Sequence, residues 1–220
     1  MSNPMIVTID GPAGVGKSTM AKMLAAELEL AYLDTGAMFR SVAWRLGSGV
    51  QHWELARLEE ELSWIEFALE GSGADTRLRL NRNMVGEEIR SEEVGMWASN
   101  VATLTPVRTF LKKAQQDLGA RFSLVAEGRD MGTVIFPDAP HKFFLDADVK
   151  VRAGRRYLQL KDMGKPANLK ELEESIARRD KQDRNRAVAP LKAAEDAMLV
   201  DSSHLSKQEV FELMLKAVKG

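Results

Sequence analysis

Cysteine is absent from the 220 residues. That excludes disulfides, zinc held by thiolates and any thiol nucleophile. An excess of one charge sign is missing too: 31 Lys and Arg stand against 32 Asp and Glu, a formal net charge of −1. A nearly neutral chain without a basic tail has no general attraction for nucleic acid or an anionic membrane. Strong anion binding must therefore come from local arginine clusters. Apolar runs are short, so no membrane-crossing helix is expected. The opening Met1-Ser2-Asn3-Pro4-Met5 has neither the positive region nor the apolar stretch of a signal peptide. A cytoplasmic monomer without nucleic-acid or membrane partners is the expectation. Histidine is scarce as well: His52, His141 and His204 are scattered and read as structural.

Hydrophobic residues make up 45% and charged residues 29% of the chain, enough for a sizeable core in one large domain or one domain with an insertion. The short apolar run Met5-Ile6-Val7-Thr8-Ile9 reads as a buried strand, and Ala31-Tyr32-Leu33, Leu124-Val125-Ala126, Lys142-Phe143-Phe144-Leu145 and Met198-Leu199-Val200 read as further short strands. Each ends near an acid: Asp10, Asp34, Glu127, Asp146 and Asp201. Helical segments separate them. Strands alternating with helices predict an α/β fold with a central five-stranded parallel sheet covered on both faces, with ligands beyond the carboxyl ends of its strands.

Met20, Met23, Leu24 and Leu28 form a helical stripe. Thr105-Pro106 offers a cap and a first-position proline for a helix that Gly119 stops. Asn168 with Glu171 resembles a capping box, and Ser206 with Glu209 is a better one. The stretch from about Trp53 to Ile89 differs. An acidic helical segment, Glu59-Glu60-Glu61-Leu62, leads through Gly71-Ser72-Gly73 to the alternating Arg77-Leu78-Arg79-Leu80 and the turn Asn81-Arg82-Asn83. This predicts a small antiparallel insertion on the parallel sheet.

The string Gly11-Pro12-Ala13-Gly14-Val15-Gly16-Lys17-Ser18, followed by Thr19, lies after a strand and before a helix. In that context it is a phosphate-binding loop. Its glycines allow close backbone approach, successive N–H groups make a nest for phosphate oxygens, and the helix N-terminus favours the same anion. Lys17 supplies a full positive charge to the β/γ-phosphates, and the Ser18 hydroxyl can ligate a bridging Mg²⁺.

Three further strings carry charge near strand ends or on helices. Asp34-Thr35-Gly36-Ala37-Met38-Phe39-Arg40 either holds a second anion or is a strand–turn–helix junction with Arg40 in solvent. Glu127-Gly128-Arg129-Asp130-Met131-Gly132-Thr133-Val134 leaves a strand end, where loops in such sheets face the ligand. Arg152, Arg155 and Arg156 are spaced to share one helix face, and Arg178-Arg179-Asp180-Lys181-Gln182-Asp183-Arg184-Asn185-Arg186 follows a second predicted helix. With the loop Lys161-Asp162-Met163-Gly164-Lys165-Pro166 between them, these form either a lid over phosphates or a solvated charged hairpin.

Together these strings resemble the bacterial cytidylate kinases over nearly the whole chain. The most specific are Gly128-Arg129-Asp130-Met131-Gly132-Thr133-Val134-Ile135-Phe136-Pro137-Asp138-Ala139 and Asp183-Arg184-Asn185-Arg186-Ala187-Val188-Ala189-Pro190. The resemblance implies one nucleoside-monophosphate-kinase domain over 1–220, with a monophosphate-binding insertion at about 53–100 and a helical lid at about 152–185. It implies transfer of the γ-phosphoryl group of ATP to CMP or dCMP with Mg²⁺. Gly11 through Thr19 would bind ATP, with Lys17 catalytic. Arg40, Arg129 and Arg186 would hold the acceptor phosphate, with Thr35 beside them; Arg179 and Asp183 would lie near ribose and phosphate. Ser99, Arg108 and Asp130 would read the base. Arg152, Arg155 and Arg156 would neutralise charge on the transferring group. Family members often carry Ser and Tyr where this chain has Thr35 and Phe39; Thr35 keeps the hydroxyl and Phe39 lacks one.

The base assignment makes chemical sense. Asp130 can accept from the N4 amino group of cytosine, and Arg108 can donate to N3 or O2. Uracil would set O4 against the carboxylate, and each mismatched buried polar group costs roughly 1–3 kcal/mol. The acceptor is an ionised phosphate oxygen, so no tuned general base is needed. The nearest alternatives are another kinase of this fold, acting on UMP, dTMP, AMP or shikimate, and a nucleotide-dependent switch. The second lacks the guanine-reading N-K-x-D string.

Overall fold

A computed structural model describes residues 4–220. In chain order the elements are β1 (Ile6–Asp10), α1 (Lys17–Glu27), β2 (Ala31–Asp34), α2 (Thr35–Leu46), α3 (Leu55–Ser63), β3 (Phe67–Glu70), β4 (Arg77–Leu80), β5 (Asn83–Met84), α4 (Glu92–Val101) and α5 (Thr105–Gly119). There follow β6 (Leu124–Gly128), a π-helical turn (Met131–Ile135), β7 (His141–Asp146), α6 (Val149–Asp162), α7 (Leu169–Asn185), β8 (Met198–Asp201) and α8 (Lys207–Lys219). The five predicted parallel strands all form, in the order β2-β6-β1-β7-β8, and β3-β4-β5 make the separate antiparallel sheet. β1 and β6 are buried at every position, which is why both faces of each strand carry apolar residues. Among the described residues no helix is long and apolar enough to cross a membrane.

The chain divides into two compact units. One comprises the first residues up to Ile6 together with Ala25–Glu127. In it β2 and β6 pair in parallel from Ala31 opposite Leu124 to Asp34 opposite Glu127. Its buried core includes Leu33, Met38, Val42, Leu111, Leu124 and Val125. Each large apolar side chain so buried contributes about 1.5–3 kcal/mol. A second cluster, Ala37, Ile89 and Val94, is covered by Leu78, Val85 and Trp97. In the antiparallel sheet Phe67 lies opposite Leu80, and Asn81 makes the β4–β5 turn with a left-handed φ of 56°. Asparagine suits that conformation, and its side chain also accepts from the Glu66 N–H and donates to the Trp64 carbonyl. The Thr76 hydroxyl accepts the Tyr32 N–H of β2 at 3.1 Å and donates to the Gly73 carbonyl.

The other unit comprises Val7–Leu24 and Gly128–Gly220. β1 pairs with β7 and β7 with β8, so Asp10, Asp146 and Asp201 end neighbouring strands. Val7, Ile9, Leu24, Met131, Phe143, Leu145, Val200 and Met214 are buried there.

Helix ends follow local chemistry with three departures from expectation. Ser206 and Glu209 form the full capping box. Asn168 caps α7 by accepting from the Lys170 and Glu171 N–H groups, while its amide donates to the Glu171 side chain, not the reverse bond of a box. Thr105 is the first residue of α5 and not its cap; Leu104 precedes the helix and gives no side-chain bond. α7 also runs on through Asn185, so Arg178, Arg179, Asp180 and Asp183 lie within a helix where a segment following one was expected. Arginine and lysine are good helix formers, and Arg179 acts on Asp183 one turn further along.

Candidate active site

The phosphate loop joins β1 to α1 within one unit, as its sequence requires. Gly11 has φ +149°, and a Cβ there would lie 2.1 Å from the Leu145 carbonyl oxygen, so no other residue fits. Gly14 and Gly16 also have positive φ. The loop's carbonyls are taken by the surrounding protein. Lys17 Nζ donates to Pro12 O at 2.7 Å, Arg152 Nη1 to Ala13 O at 3.1 Å, and Ser202 Oγ to Val15 O at 3.5 Å. Lys17 is thus folded back and buried, while Ser18 and Thr19 in the first turn of α1 are exposed.

The three arginines of α6 share a helix but not a role. Arg152 is only 2% exposed; its Nε donates to Ala147 O at 2.9 Å and its Nη2 pairs with Asp180 Oδ2 at 2.6 Å. Arg155 donates to Ser202 Oγ and O, and Arg156 to Gln159 Oε1. Sequence spacing made the three look equivalent; packing separates them.

In the same unit Arg129 Nε donates to Asp183 Oδ2 at 2.8 Å. Arg186 lies 3.7 Å from Asp130 and 4.0 Å from Asp183, with its Nε on Ala189 O. Arg129, Asp130, Asp183 and Arg186 therefore form one half-buried to buried network of two cations and two anions. Burial pushes the Asp183 carboxyl up. The charge and hydrogen bond of Arg129, then the charges of Arg179 and Arg186, outweigh that and hold it below the ordinary carboxylate range.

Asp10, read from sequence only as a strand terminator, sits in this unit with 3% exposure. Its Oδ1 accepts the Met131 N–H at 2.9 Å and its Oδ2 the Gly132 N–H at 2.8 Å. Burial is the largest influence on its carboxyl. Those N–H groups resist it, Asp130 adds to it and Lys17 opposes it, and the net result is a rise to about 6. An acid immediately before the phosphate loop was the one available signal.

The remaining predicted residues belong to the other unit. Asp34 caps α2 by accepting the Ala37 N–H at 2.8 Å and pairs with Arg40 at 3.0 Å. Arg40 is not simply in solvent: its Nε is buried without a hydrogen-bond partner. Thr35 Oγ1 donates to the Glu127 carbonyl at 2.6 Å, and Tyr32 Oη to the Glu127 carboxylate at 2.5 Å, all buried. Sequence reading missed Glu127 as a hub of this kind. Arg108 is buried, donates to Ala102 O at 3.3 Å, and lies 5.7 Å from the centre of the Phe39 ring. The Phe39 ring thus faces a cation. Ser99, half-buried on α4, donates to Gly95 O.

Residues 7–220 match the family model for cytidylate kinase. A cytidylate kinase of Maridesulfovibrio salexigens is 59% identical over 98% of this chain and 96% of its own length. One from Oleidesulfovibrio alaskensis is 55% identical over the full length of both, and one from Thermosipho melanesiensis 44% identical over 98% and 97%. Among solved structures, an uncharacterized protein from Eubacterium ventriosum aligns over 99% of both chains with a TM-score of 0.51 at 13% identity, a likeness of fold alone.

Proposed function

The chain belongs to the cytidylate kinase family, and we propose on that premise that it transfers the γ-phosphoryl group of ATP to CMP or dCMP, giving ADP with CDP or dCDP. The observation that carries this is the conjunction, in one unit, of a complete phosphate loop with a buried arginine–carboxylate network that the loop itself does not need. In this reading the chain is one nucleoside-monophosphate-kinase domain, with 53–100 as the acceptor-binding insertion and 152–185 as the lid. It acts as a cytoplasmic monomer without nucleic-acid or membrane partners.

Gly11 to Thr19 bind the triphosphate. With the carbonyls of Pro12, Ala13 and Val15 engaged by Lys17, Arg152 and Ser202, the loop's N–H groups are the donors for the phosphate oxygens. Lys17 exchanges the Pro12 carbonyl for the β/γ-phosphates. Arg40, Arg129 and Arg186 bind the acceptor phosphate, since planar guanidinium forks suit bidentate phosphate contacts. Thr35 holds the Glu127 carbonyl beside Arg40's helix. Asp183 and Arg179 serve the ribose and phosphate. Asp130, Arg108 and Ser99 select cytosine. Arg155 and Arg156 are the lid cations for the transferring group, and Arg152 supports the loop through Ala13 O. An acceptor phosphate oxygen attacks the γ-phosphorus, the bond to the β–γ bridging oxygen breaks, and ADP leaves with that electron pair. The nucleophile is already ionised, so no side chain has to remove a proton.

Mg²⁺ fits the donor set. Among the described residues no cluster of three acids or histidines forms a cage, and Ser18 exposes a hydroxyl in the first turn of α1. Mg²⁺ favours that arrangement, taking few protein ligands and filling its shell with phosphate oxygens and water. When bound with ATP it would neutralise phosphate charge.

A coupled ADP-release assay over CMP, dCMP, UMP, dTMP and AMP tests the assignment. Turnover confined to CMP and dCMP is expected. Turnover with another monophosphate in their place, or slow hydrolysis indifferent to any acceptor, would overturn it.

A further inference from the structure

We propose that Asp10 is a positioning residue for acceptor selection: it caps the turn that follows Asp130, so that Asp130's own carboxylate is not consumed as a cap. This rests on the reading of Asp130 as a base-recognition residue.

An aspartate preceding a helical turn is well suited to cap the first N–H groups of that turn with its own side chain. Asp130 precedes the π-helical turn Met131–Ile135 and makes no such bond. The N–H groups of Met131 and Gly132 go instead to the two oxygens of Asp10, from a strand 121 and 122 residues away in sequence. Asp130's carboxylate lies 3.7 Å from Arg186. The turn has little room to settle elsewhere: Met131 is 1% exposed, and a Cβ on Gly132 would stand 3.1 Å from Thr8 Oγ1 and 3.2 Å from the Lys142 side chain. Two acceptor oxygens, fixed in a buried site, are what two adjacent N–H groups require. Asparagine has the same shape but one acceptor, and its amide would confront the other N–H. The backbone at Asp130 would then shift to relieve the orphaned donor. Both oxygens of Asp10 are engaged by backbone N–H groups in a buried site, so its effect on selection passes through Asp130. The charged groups acting on it are Asp130 and Lys17.

The test compares wild type with Asp10→Asn, Asp130→Asn and the double variant, measuring kcat and KM for CMP and UMP and the KM for ATP. Expected for Asp10→Asn is a roughly tenfold loss in the CMP-to-UMP ratio of kcat/KM, the scale of one buried hydrogen bond to a charged group. KM for ATP should be unchanged, and the double variant should be no less selective than Asp130→Asn alone. A narrowed ratio in Asp130→Asn with an unchanged one in Asp10→Asn overturns the positioning role and leaves base recognition by Asp130 standing. An unchanged ratio in both overturns both. An equal fall for CMP and UMP makes Asp10 merely structural and also overturns the proposal. Should Asp10→Asn fail to fold, the wild-type ratio at about pH 5.5 and about pH 8 decides. The acceptor phosphates ionise near pH 6 in both substrates and cancel in the ratio. Protonating Asp10 removes one acceptor, so selectivity should fall on the acid side, and a constant ratio refutes the role.

Discussion

Replacing Asp10 with asparagine removes a titration while keeping the volume, and the consequence for stability can be worked out. The carboxyl rises from its ordinary 3.8 to about 6 in the fold, chiefly through burial. A group whose folded-state value is raised stabilises the fold when protonated. That contribution is complete below 3.8 and is lost as pH climbs through about 6. At about 1.4 kcal/mol per pKa unit, the full loss is about 3 kcal/mol, of which roughly 1.4 kcal/mol falls between about pH 5 and about pH 8. Asparagine has no such slope. For a chain of this length that energy corresponds to about 3–5 °C in Tm. Melting both proteins across this range and subtracting the curves cancels the other titrating groups. Wild type should lose about 3–5 °C relative to Asp10→Asn on going from the acid to the alkaline end. Parallel curves would show that the Asp10 carboxyl carries no such burden, and the case for a carboxylate held charged at a cost to stability would fall with it.

Asp130→Asn should lower kcat/KM with CMP and bring the CMP-to-UMP ratio down about tenfold or more, read by steady-state kinetics; an unchanged ratio removes Asp130 from base recognition. Arg152→Ala should cost about 3–5 kcal/mol in urea unfolding, because it strands Asp180, whose Oδ1 already lacks a hydrogen bond. Arg156→Ala, which removes an exposed bond to Gln159, should cost far less than Arg152→Ala in the same assay. Gly11→Ala should be poorly folded or inactive, since its methyl would overlap the Leu145 carbonyl; a stable variant with normal ATP affinity would mean that the loop backbone is not held as described.

The parallel strands were legible because each is a short apolar run, such as Leu124-Val125-Ala126, that stops at an acid. The phosphate loop was legible because its residue types are dictated by backbone conformation. The antiparallel insertion showed itself through Asn81, whose left-handed φ suits few residues. What stayed hidden depends on distant partners. Nothing near Asp10 in sequence announces N–H groups 121 residues further on. The arginines at 152, 155 and 156 are separated by their partners: Asp180 for the first, Ser202 for the second and Gln159 of the same helix for the third. The charged run after Ile176 was expected to follow a helix, and it lies within one to Asn185, because few apolar residues mark where such a helix ends.

The bond from Tyr32 N–H to the Thr76 hydroxyl bears on solubility as well as on the fold. β2 is an outer strand of the five-stranded sheet, and an unpaired N–H on such a strand is a template for a strand from another molecule. In a strand of four residues a single occupied N–H interrupts most of the ladder that a second chain could add. Segment 53–100 thereby guards the sheet against edge-to-edge polymerisation, and trimming it to make a smaller kinase would uncover a surface disposed to aggregate.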